Sequence, residues 1–439
     1  MAGRVLLLAL SGVRIHDAEL AALGMTLPGF VDRGEVIARL PSLGLLTLAA
    51  HTPSGWDQAY RELDVLPAGA AAEIGAEGWD VVAISSLTAR IVDAYALADT
   101  LRVCGVTVVL GGLHATACAD EAAGHADAVV VGEAEGVWPE LLEDWARGAL
   151  RRRYDGRQAG FRFEQCKVPR WDLISDDRHT RLTLQTTRGC PLDCHFCGAS
   201  RLLSPYRKKP LARVRAEVDA LLQRWPRARV ELADDNTFVD RRWTRGLAQV
   251  FAATPIRWFT EADLSVADDP ELVELLAASG CFQVLVGLES ADAVALTGLE
   301  SSGVKRRWVA EHARRIATLQ ERGIAVIGCF VLGFDADGPE VFARTLRAQR
   351  ELGLADVQIT LLTPFPGTAL HQRLANENRL LTPGAWSKYT LFDVTFRPAR
   401  MSASALRGGF AELVATVYDP TESARRRSIF RDCLSRRPT

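Results

Sequence analysis

The sequence of 439 residues lacks the features of several common functional classes. Its formal net charge is −2, and without a basic excess a general nucleic-acid-binding protein is disfavoured. No apolar run reaches the length of a membrane span, and the start MAGRVLLLALSGVRIHD predicts a buried strand rather than a secretory signal. Neither G-x-G-x-x-G nor G-x-x-x-x-G-K-[ST] occurs, which disfavours dinucleotide and P-loop sites. The length and an apolar content of 48% instead predict two or three domains with sizeable cores.

Three cysteines lie close together in TTRGCPLDCHFCGAS: Cys190, Cys194 and Cys197. On a tight loop, C-x3-C-x2-C spacing lets three thiolates hold three irons of a four-iron cluster. The fourth iron then stays open to an outside ligand, either a substrate or a cofactor. A structural zinc site, the weaker alternative, needs four ligands, and the further donor at hand is His195, inside the loop. An odd number of cysteines without a secretory signal disfavours disulfides.

The other six cysteines are scattered and show no metal-ligand spacing: Cys104, Cys118, Cys166, Cys281, Cys329 and Cys433. We expect each to be a small buried hydrophobe or a surface thiol, so a second cluster is not predicted. Reduced thiols and an oxygen-sensitive cluster both indicate a cytoplasmic protein.

Residues 1–150 alternate short apolar runs with helical patterns. The strand-like runs are RVLLLAL, LGLLTLA, WDVVAIS, VTVVLGG and DAVVVGE, and AYALADTLRVCG has helical periodicity. Continuous apolar strands that alternate with helices predict a parallel sheet covered on both faces, which is a doubly wound, Rossmann-like α/β domain. The ligand of such a fold binds beyond the carboxyl ends of the strands.

Small and polar residues follow three of these runs, where glycines allow a close approach of backbone and ligand. They are Ser85, Ser86 and Thr88; Gly111, Gly112, His114, Ala115 and Thr116; and Gly132, Glu133 and Glu135. We therefore predict a site for a nucleotide or a large planar cofactor at this edge of the sheet. A domain that has lost its ligand is the alternative.

Residues 151–180 are charged and irregular and predict a linker, after which the strand and helix patterns restart. Six βα units predict a partial TIM-type barrel over 181–365, with its chemistry at the carboxyl ends of the strands. Acids and amides follow the second, third and fourth strands: Asp234, Asp235, Asn236, Glu261 and Glu289. Such side chains accept hydrogen bonds from the amino group and ribose of a nucleoside, although barrel-rim ion pairs are the alternative for each.

Residues 366–439 follow a rigid turn, LLTPFPGTALHQRL, in which Thr363 or Thr368 is placed to cap the next helix. They predict a mainly helical capping region. A tail that covers the open barrel would bring Trp386, Tyr389 and Phe392 near the substrate, and a plain core role is the alternative.

These motifs resemble the radical S-adenosylmethionine (SAM) enzymes that carry a cobalamin-binding domain. The cysteine motif with Phe196 before its last cysteine is similar to the radical SAM signature, and VLGGLHATACADEAAGHADAVVVGEAEGVWPELLEDW is similar to the cobalamin-binding domain. The TPFPGT turn and a W-x-x-Y…P-x-x-M tail resemble a branch that includes a hopanoid C-methylase. The resemblance spans nearly the whole chain.

The resemblance implies three cofactors: a [4Fe–4S] cluster on the three cysteines, SAM on its open iron, and cobalamin over the strand ends of the first domain. It also implies that Glu289 contacts the ribose or methionine part of SAM. Two departures occur. A-D-D-N stands where many relatives have a G-G-E-like motif, and no D-x-H-x-x-G is present, so we expect no histidine on the lower face of cobalt. His114 is expected to order its loop or contact the nucleotide tail.

The reaction that the resemblance implies is methyl transfer: a 5′-deoxyadenosyl radical abstracts hydrogen from an unactivated carbon, which then takes a methyl group from methylcobalamin. A non-methylating radical cyclisation, rearrangement or oxidation is the alternative. A non-catalytic sensor would be expected to append a DNA-binding or signalling module, and none is recognisable in residues 366–439. The expected partners are a small-molecule or natural-product substrate and a flavodoxin or ferredoxin as reductant, with no nucleic acid.

Overall fold

The computed structural model describes residues 3–10, 19–20, 40–174, 179, 181–198 and 205–435. Their architecture is two six-stranded parallel sheets, one in each half of the chain, followed by a mainly helical tail. None of the helices in these ranges is long and apolar enough to cross a lipid bilayer.

The first sheet has the strand order β2-β1-β3-β4-β5-β6, and every neighbouring pair is parallel. Its strands are β1 (Gly3–Leu10), β2 (Trp56–Leu63), β3 (Val81–Ser86), β4 (Thr107–Gly111), β5 (Ala128–Val131) and β6 (Arg153–Asp155). Its helices are α1 (Leu43–His51), α2 (Ala70–Ala76), α3 (Ile91–Val103), α4 (Leu113–Ala117), α5 (Ala119–His125) and α6 (Trp138–Ala146). This is the doubly wound fold that the sequence predicts.

Strand β1 shows why both faces of this sheet are covered. Val5, Leu7 and Ala9 pack into one hydrophobic cluster, and Leu6 and Leu8 pack into a second cluster on the other face. Successive side chains of a strand point to opposite faces, so a continuously apolar strand fills two cores.

Two segments of the first domain differ from the sequence-based expectation. LGLLTLA, which we predicted as a strand, is the helix α1, because a short apolar run does not distinguish a strand from a buried helix. One missed strand is β2, which among the described strands pairs with β1 alone, at the edge of the sheet. Its sequence WDQAYREL is too polar for the pattern of a buried strand, as edge strands often are. The sheet also continues into β6, within the range predicted as a linker.

The second sheet has the order β14-β13-β12-β11-β10-β7, again parallel throughout. Its strands are β7 (Leu182–Leu184), β10 (Arg229–Leu232), β11 (Arg257–Glu261), β12 (Cys281–Glu289), β13 (Ala325–Leu332) and β14 (Asp356–Leu361). A short antiparallel ribbon joins β8 (Thr187–Arg188) to β9 (Arg207–Lys208). The strands follow one another in chain order, and β7 and β14 lie at the two edges, which gives the predicted open barrel of six βα units.

Helices separate the barrel strands: α7 (Leu211–Arg224), α8 (Arg241–Ala252), α9 (Pro270–Ala278), α10 (Val304–Trp308), α11 (His312–Glu321) and α12 (Glu340–Glu351). The tail contains α13 (Ala369–Asn376), a 3₁₀ turn (Trp386–Lys388), α14 (Ala403–Val417) and α15 (Pro420–Ser435). Thr368 caps α13, since its hydroxyl accepts from the His371 amide at 3.1 Å. The tail also reaches the first domain, where the Trp386 indole donates to Glu121 at 2.9 Å.

Candidate functional site

A cavity of about 560 Å³ lies between the carboxyl ends of the two sheets. The first domain contributes Leu87, Thr88 and Leu113 to its wall, the barrel contributes the three cysteines, and the tail contributes Tyr389. Parallel α/β sheets bind ligands at this end of their strands. One cavity therefore joins the predicted sites of both domains.

Two aspartates after β10 hold the segment that leads into the cysteine loop. The buried Asp234 accepts from the backbone amides of Thr186 and Thr187, at 2.6 and 2.9 Å. The neighbouring Asp235 accepts from the Gly189 amide at 2.9 Å, one residue before the first cysteine. Asp235 lines the cavity, whereas the oxygens of Asp234 are taken up by the protein itself.

The three thiols share the cavity wall, and burial raises the pKa of Cys190 and raises that of Cys194 to about 12. The amide of Asn236 lies 4.0 Å from Cys190 Sγ, within reach of a weak hydrogen bond to sulfur. His195 is not among the residues of this wall, and its ring packs edge-to-face on Phe196. Three thiolates on one wall, with space beside them, fit a cluster that has one open iron.

An ion pair stands beside the cysteine loop. Lys305 Nζ donates to Glu289 Oε1 at 2.5 Å and to the Gly287 carbonyl at 3.2 Å, and all three residues line the cavity. Burial opposes the charge of Lys305, but the Glu289 carboxylate outweighs it and raises the pKa of the amine. The positively charged amine in turn opposes the burial that raises the pKa of Cys194.

The backbone at Glu289 is in the left-handed region, with a φ of 64°, at the end of β12. A Cβ atom at Gly287 would lie 2.3 Å from Glu289 Oε1, so a larger residue there would displace this carboxylate from its place beside Lys305. Non-glycine residues with this conformation are costly and cluster at functional sites.

Glu261, at the end of β11, lines the cavity and is exposed to solvent there. Burial, followed by the negative charges of Glu231, Asp235 and Glu289, raises the pKa of Glu261 to about 8. This shift favours the protonated form of the carboxyl at neutral pH, and that form can donate a hydrogen bond. Below it, Arg181 pairs with Glu231 at 3.1 Å.

The structure brings eight of the predicted site residues to the cavity wall. These are Thr88, Cys190, Cys194, Cys197, Asp235, Asn236, Glu261 and Glu289. The predicted residues outside the wall are Ser85, Ser86, Gly111, Gly112, His114, Ala115, Thr116, Gly132, Glu133, Glu135 and Asp234. Most of them lie in the same three loops of the first domain.

His114 is fully buried behind the wall rather than in it. Its Nε2 atom lies 3.5 Å from a Glu121 oxygen, and its Nδ1 atom lies 3.3 Å from the Thr88 hydroxyl. The ring packs edge-to-face on Trp386, with 5.1 Å between the ring centroids. The imidazole thus joins a cavity loop to the tail.

Sequence reasoning missed several residues of the wall. Lys305 lies in the short helix α10, in a polar segment without a motif. The apolar part of the wall comes from separate segments of the chain: Leu87, Leu113, Phe365, Tyr389 and Leu391. The aromatics of the tail and the TPFPGT turn were the available signals for the last three.

Comparison with known families matches nearly the whole chain. Residues 31–142 match the B12 binding domain, 184–364 match the Radical SAM superfamily, and 368–438 match a Domain of unknown function (DUF4070). The chain is 30% identical over 404 residues to the uncharacterized methyltransferase sll1242 of Synechocystis sp., covering 87% of this chain and 71% of that protein. The chain belongs to the radical SAM enzymes that carry a B12-binding domain.

Named members of this radical SAM family are similar as well. The bacteriochlorophyllide d C-12(1)-methyltransferase of Chlorobaculum tepidum is 28% identical, with 78% of this chain and 75% of that protein covered. The hopanoid C-2 methylase of Rhodopseudomonas palustris is 26% identical, with 79% and 66% covered. The sequence-based assignment to this family, and to a branch near the hopanoid methylases, is confirmed.

The fold has a counterpart among solved structures. The radical SAM methyltransferase TsrM from Kitasatospora setae superposes with a TM-score of 0.71 at 17% identity, covering 96% of this chain and 90% of that chain. At this identity the likeness concerns the fold. The cofactors of the family are a [4Fe–4S] cluster, SAM and cobalamin, and the three-thiolate wall between the two matched domains fits them.

Proposed function

We propose that this chain is a C-methyltransferase that acts on an unactivated carbon of a small, largely apolar molecule. The observation that carries the proposal is the single cavity, because thiols of the radical SAM domain and loops of the B12-binding domain line the same space. A substrate in that space meets both domains at once. Methyl transfer through cobalt requires this arrangement, whereas adenosyl-radical chemistry alone does not.

When bound, the cofactors supply an electron, a 5′-deoxyadenosyl radical and a methyl group. The chain's own part is to bind, orient and exclude water. The thiols of Cys190, Cys194 and Cys197 hold the cluster, and the Asp235 carboxylate fixes the backbone in front of them. Hydrogen abstraction by an adenosyl radical needs no general base.

Three polar groups of the barrel are placed to orient SAM. Asn236 offers an amide beside Cys190, Glu289 offers a carboxylate oxygen next to Lys305, and the protonated Glu261 offers a donor. A nucleoside presents matching acceptors and donors on its base, ribose and amino-acid part. We assign all three to SAM rather than to the methyl acceptor. Asn236 lies beside Cys190, and Glu289 lies close enough to Cys194 to affect its pKa. Glu261 ends β11, the strand between those that lead to the other two.

The substrate side of the cavity is apolar. Leu87 and Leu113 of the first domain face Phe365, Tyr389 and Leu391 of the turn and tail. The hydroxyl of Tyr389 is buried without a hydrogen-bond partner among the described residues, so this polar atom is available to a ligand. Such a wall suits a hydrophobic natural product with few polar groups.

We also propose a flavodoxin or ferredoxin as the electron donor and the cytoplasm as the location. The support is chemical: the cluster needs a low-potential reductant, and all nine cysteines are free thiols in the structure. A net charge of −2 supports the absence of a nucleic-acid partner.

The test supplies the reconstituted enzyme, under anaerobic conditions, with SAM that is deuterated in its methyl group and with a chemical reductant. Because similar proteins act on hopanoids and bacteriochlorophyllides, one compound of each type serves as a first probe. The proposal predicts a labelled methyl group in the product, with S-adenosylhomocysteine and 5′-deoxyadenosine formed in equal amounts. An altered but unlabelled product, with 5′-deoxyadenosine alone, would assign the chain to cyclisation, rearrangement or oxidation. Cys194→Ala is the matched inactive control.

A further inference from the structure

We infer that Arg188 is a positioning residue that fixes the cysteine loop against the B12-binding domain, so that both cofactors face one substrate. This inference rests on the proposed function. It assigns roles to Glu133 and Glu135 that differ from the cofactor contacts suggested by their place in the sequence.

The central observation is a forked ion pair across the domain boundary. Arg188 lies two residues before Cys190, and its Nη1 atom donates to Glu133 at 2.6 Å while its Nη2 atom donates to Glu135 at 2.8 Å. The side chains of Arg188, Glu133 and Glu135 are 12%, 8% and 10% exposed. Water screens such a pair weakly, and its geometry is correspondingly strict.

The guanidinium of Arg188 is held on its remaining sides by the barrel domain and the connecting segment. Its Nε and Nη2 atoms donate to Gln185 at 3.0 and 2.8 Å, and its plane lies over the ring of Phe163 at 4.8 Å. Arg207 donates to Glu133 as well. A lysine offers a single charge centre without the planar fork, so it cannot reproduce contacts to both carboxylates.

The surroundings of Glu135 favour its charged form. Burial alone raises the pKa of Glu135, but the charge of Arg188 and its hydrogen bond outweigh it and lower the pKa overall. The contact of Arg188 with Glu135 is therefore an ion pair.

The loop that carries the two glutamates has little freedom to move. Gly132, with a φ of 76°, donates its amide to the Thr116 hydroxyl at 2.9 Å, which ties the loop to the G-G-L-H-A-T segment. A Cβ atom at Gly156 would lie 1.7 Å from the Glu133 carbonyl oxygen, so the backbones are in close contact there. On the barrel side, the Gly189 amide is held by Asp235. Arg188 thus joins two rigid segments, one leading to the thiols and one to the first-domain loops.

The test compares the wild type with Arg188→Met and Arg188→Lys, each loaded with cluster and hydroxocobalamin and then reduced. Pulsed dipolar EPR measures the distance between cob(II)alamin and the reduced cluster. We expect one narrow distance in the wild type, and a broader or shifted distribution in both variants. The ratio of 5′-deoxyadenosine to methylated product should rise about tenfold in the variants, since small misplacements of reacting groups have effects of this size or larger.

The matched control is Arg215→Met, which breaks the exposed pair of Arg215 and Asp219 on a barrel helix. It should change neither the distance nor the product ratio. An unchanged distance in both Arg188 variants would overturn the inference. So would full rescue by lysine, because the assignment depends on the two-pronged guanidinium.

Two further measurements keep the test decisive. If the Arg188 variants fail to fold, Glu135→Gln replaces them in the test. This substitution weakens the ion pair with Arg188 but keeps a side-chain oxygen that can accept its hydrogen bond. The expected and contradicting results are the same. Amide hydrogen exchange of cluster-loaded protein needs neither corrinoid nor substrate, and substitution of Arg188 should speed exchange in residues 132–136. A wild type with a narrow distribution of distances between cob(II)alamin and the cluster, but without methyl transfer, would contradict the proposed function and not this inference.

Discussion

Lys305 Nζ lies 2.5 Å from Glu289 Oε1, on the wall of the cavity that also contains Cys194. Both side chains are about a tenth exposed, at 11% and 9%. Lys305→Met leaves the carboxylate of Glu289 buried without its partner, which should destabilise the cluster-free protein by about 3–5 kcal/mol. Guanidinium unfolding followed by tryptophan fluorescence measures the loss. Lys208→Met, which breaks the more exposed pair with Asp240, should cost less than about 1 kcal/mol. Equal losses in the two variants would contradict this account.

The raised pKa of Glu261 predicts a pH dependence of stability. Its pKa is about 8 in the folded protein, against 4.5 for an ordinary glutamate, so between these values the folded chain holds a proton that the unfolded chain has released. The free energy of unfolding should therefore fall as pH rises from 5 to 8 and level off above. Because the carboxyl is exposed to solvent, water screens its interactions, and the free energy of unfolding should change by only about 1 kcal/mol. Glu261→Gln should remove the pH-dependent part, and a variant with the wild-type profile would refute the assignment.

Cys194→Ala should abolish the broad visible absorbance of the reconstituted cluster and all reductive cleavage of SAM. Two thiolates of the motif remain, so two of the four irons lack a protein ligand. Cys104→Ala removes an exposed thiol far from the cavity and should leave both properties at wild-type levels. Persistent SAM cleavage by the Cys194 variant would show that the cluster is held elsewhere.

His114→Ala should leave the visible spectrum of bound cobalamin unchanged. In both proteins the spectrum should be that of cobalt without a nitrogen ligand on its lower face. The imidazole lies behind the cavity wall, between Thr88, Glu121 and Trp386. Its loss should instead destabilise the contact of the tail with the first domain, by about 1–3 kcal/mol for a buried polar group that loses its partner. A marked spectral shift would make His114 a cobalt ligand after all.

Most of the fold follows from local patterns. The strands of the barrel and four of the six strands that precede it are apolar or end in motifs, and each helix predicted from periodicity is present. The exceptions are α1, the edge strand β2, and the three-residue strand β6 in the segment predicted as a linker. A buried helix of nine residues has no polar face to reveal its period, and an edge strand that is half exposed loses the apolar run that marks the others.

The part of the site formed by a local sequence motif was predictable, and the part formed by residues far apart in the sequence was not. The thiols are set by C-x3-C-x2-C alone. Lys305 reaches Glu289 across 16 residues, and Tyr389 arrives from the tail, so neither is visible in a motif. Glu133 and Glu135 do follow a strand of the first sheet, but position along the chain does not fix the direction of a side chain. Arg188, from the other domain, decides where they point.

The central claim is that a cluster and a corrinoid occupy one cavity, and a metal count on the holoprotein tests it most directly. The full chain is reconstituted anaerobically with iron and sulfide, offered hydroxocobalamin, desalted, and measured by metal analysis, visible absorbance and EPR. We predict about four irons and one cobalt per chain, with a single cluster signal after reduction. A protein that retains the irons but no cobalt would contradict the account and exclude methyl transfer through cobalt.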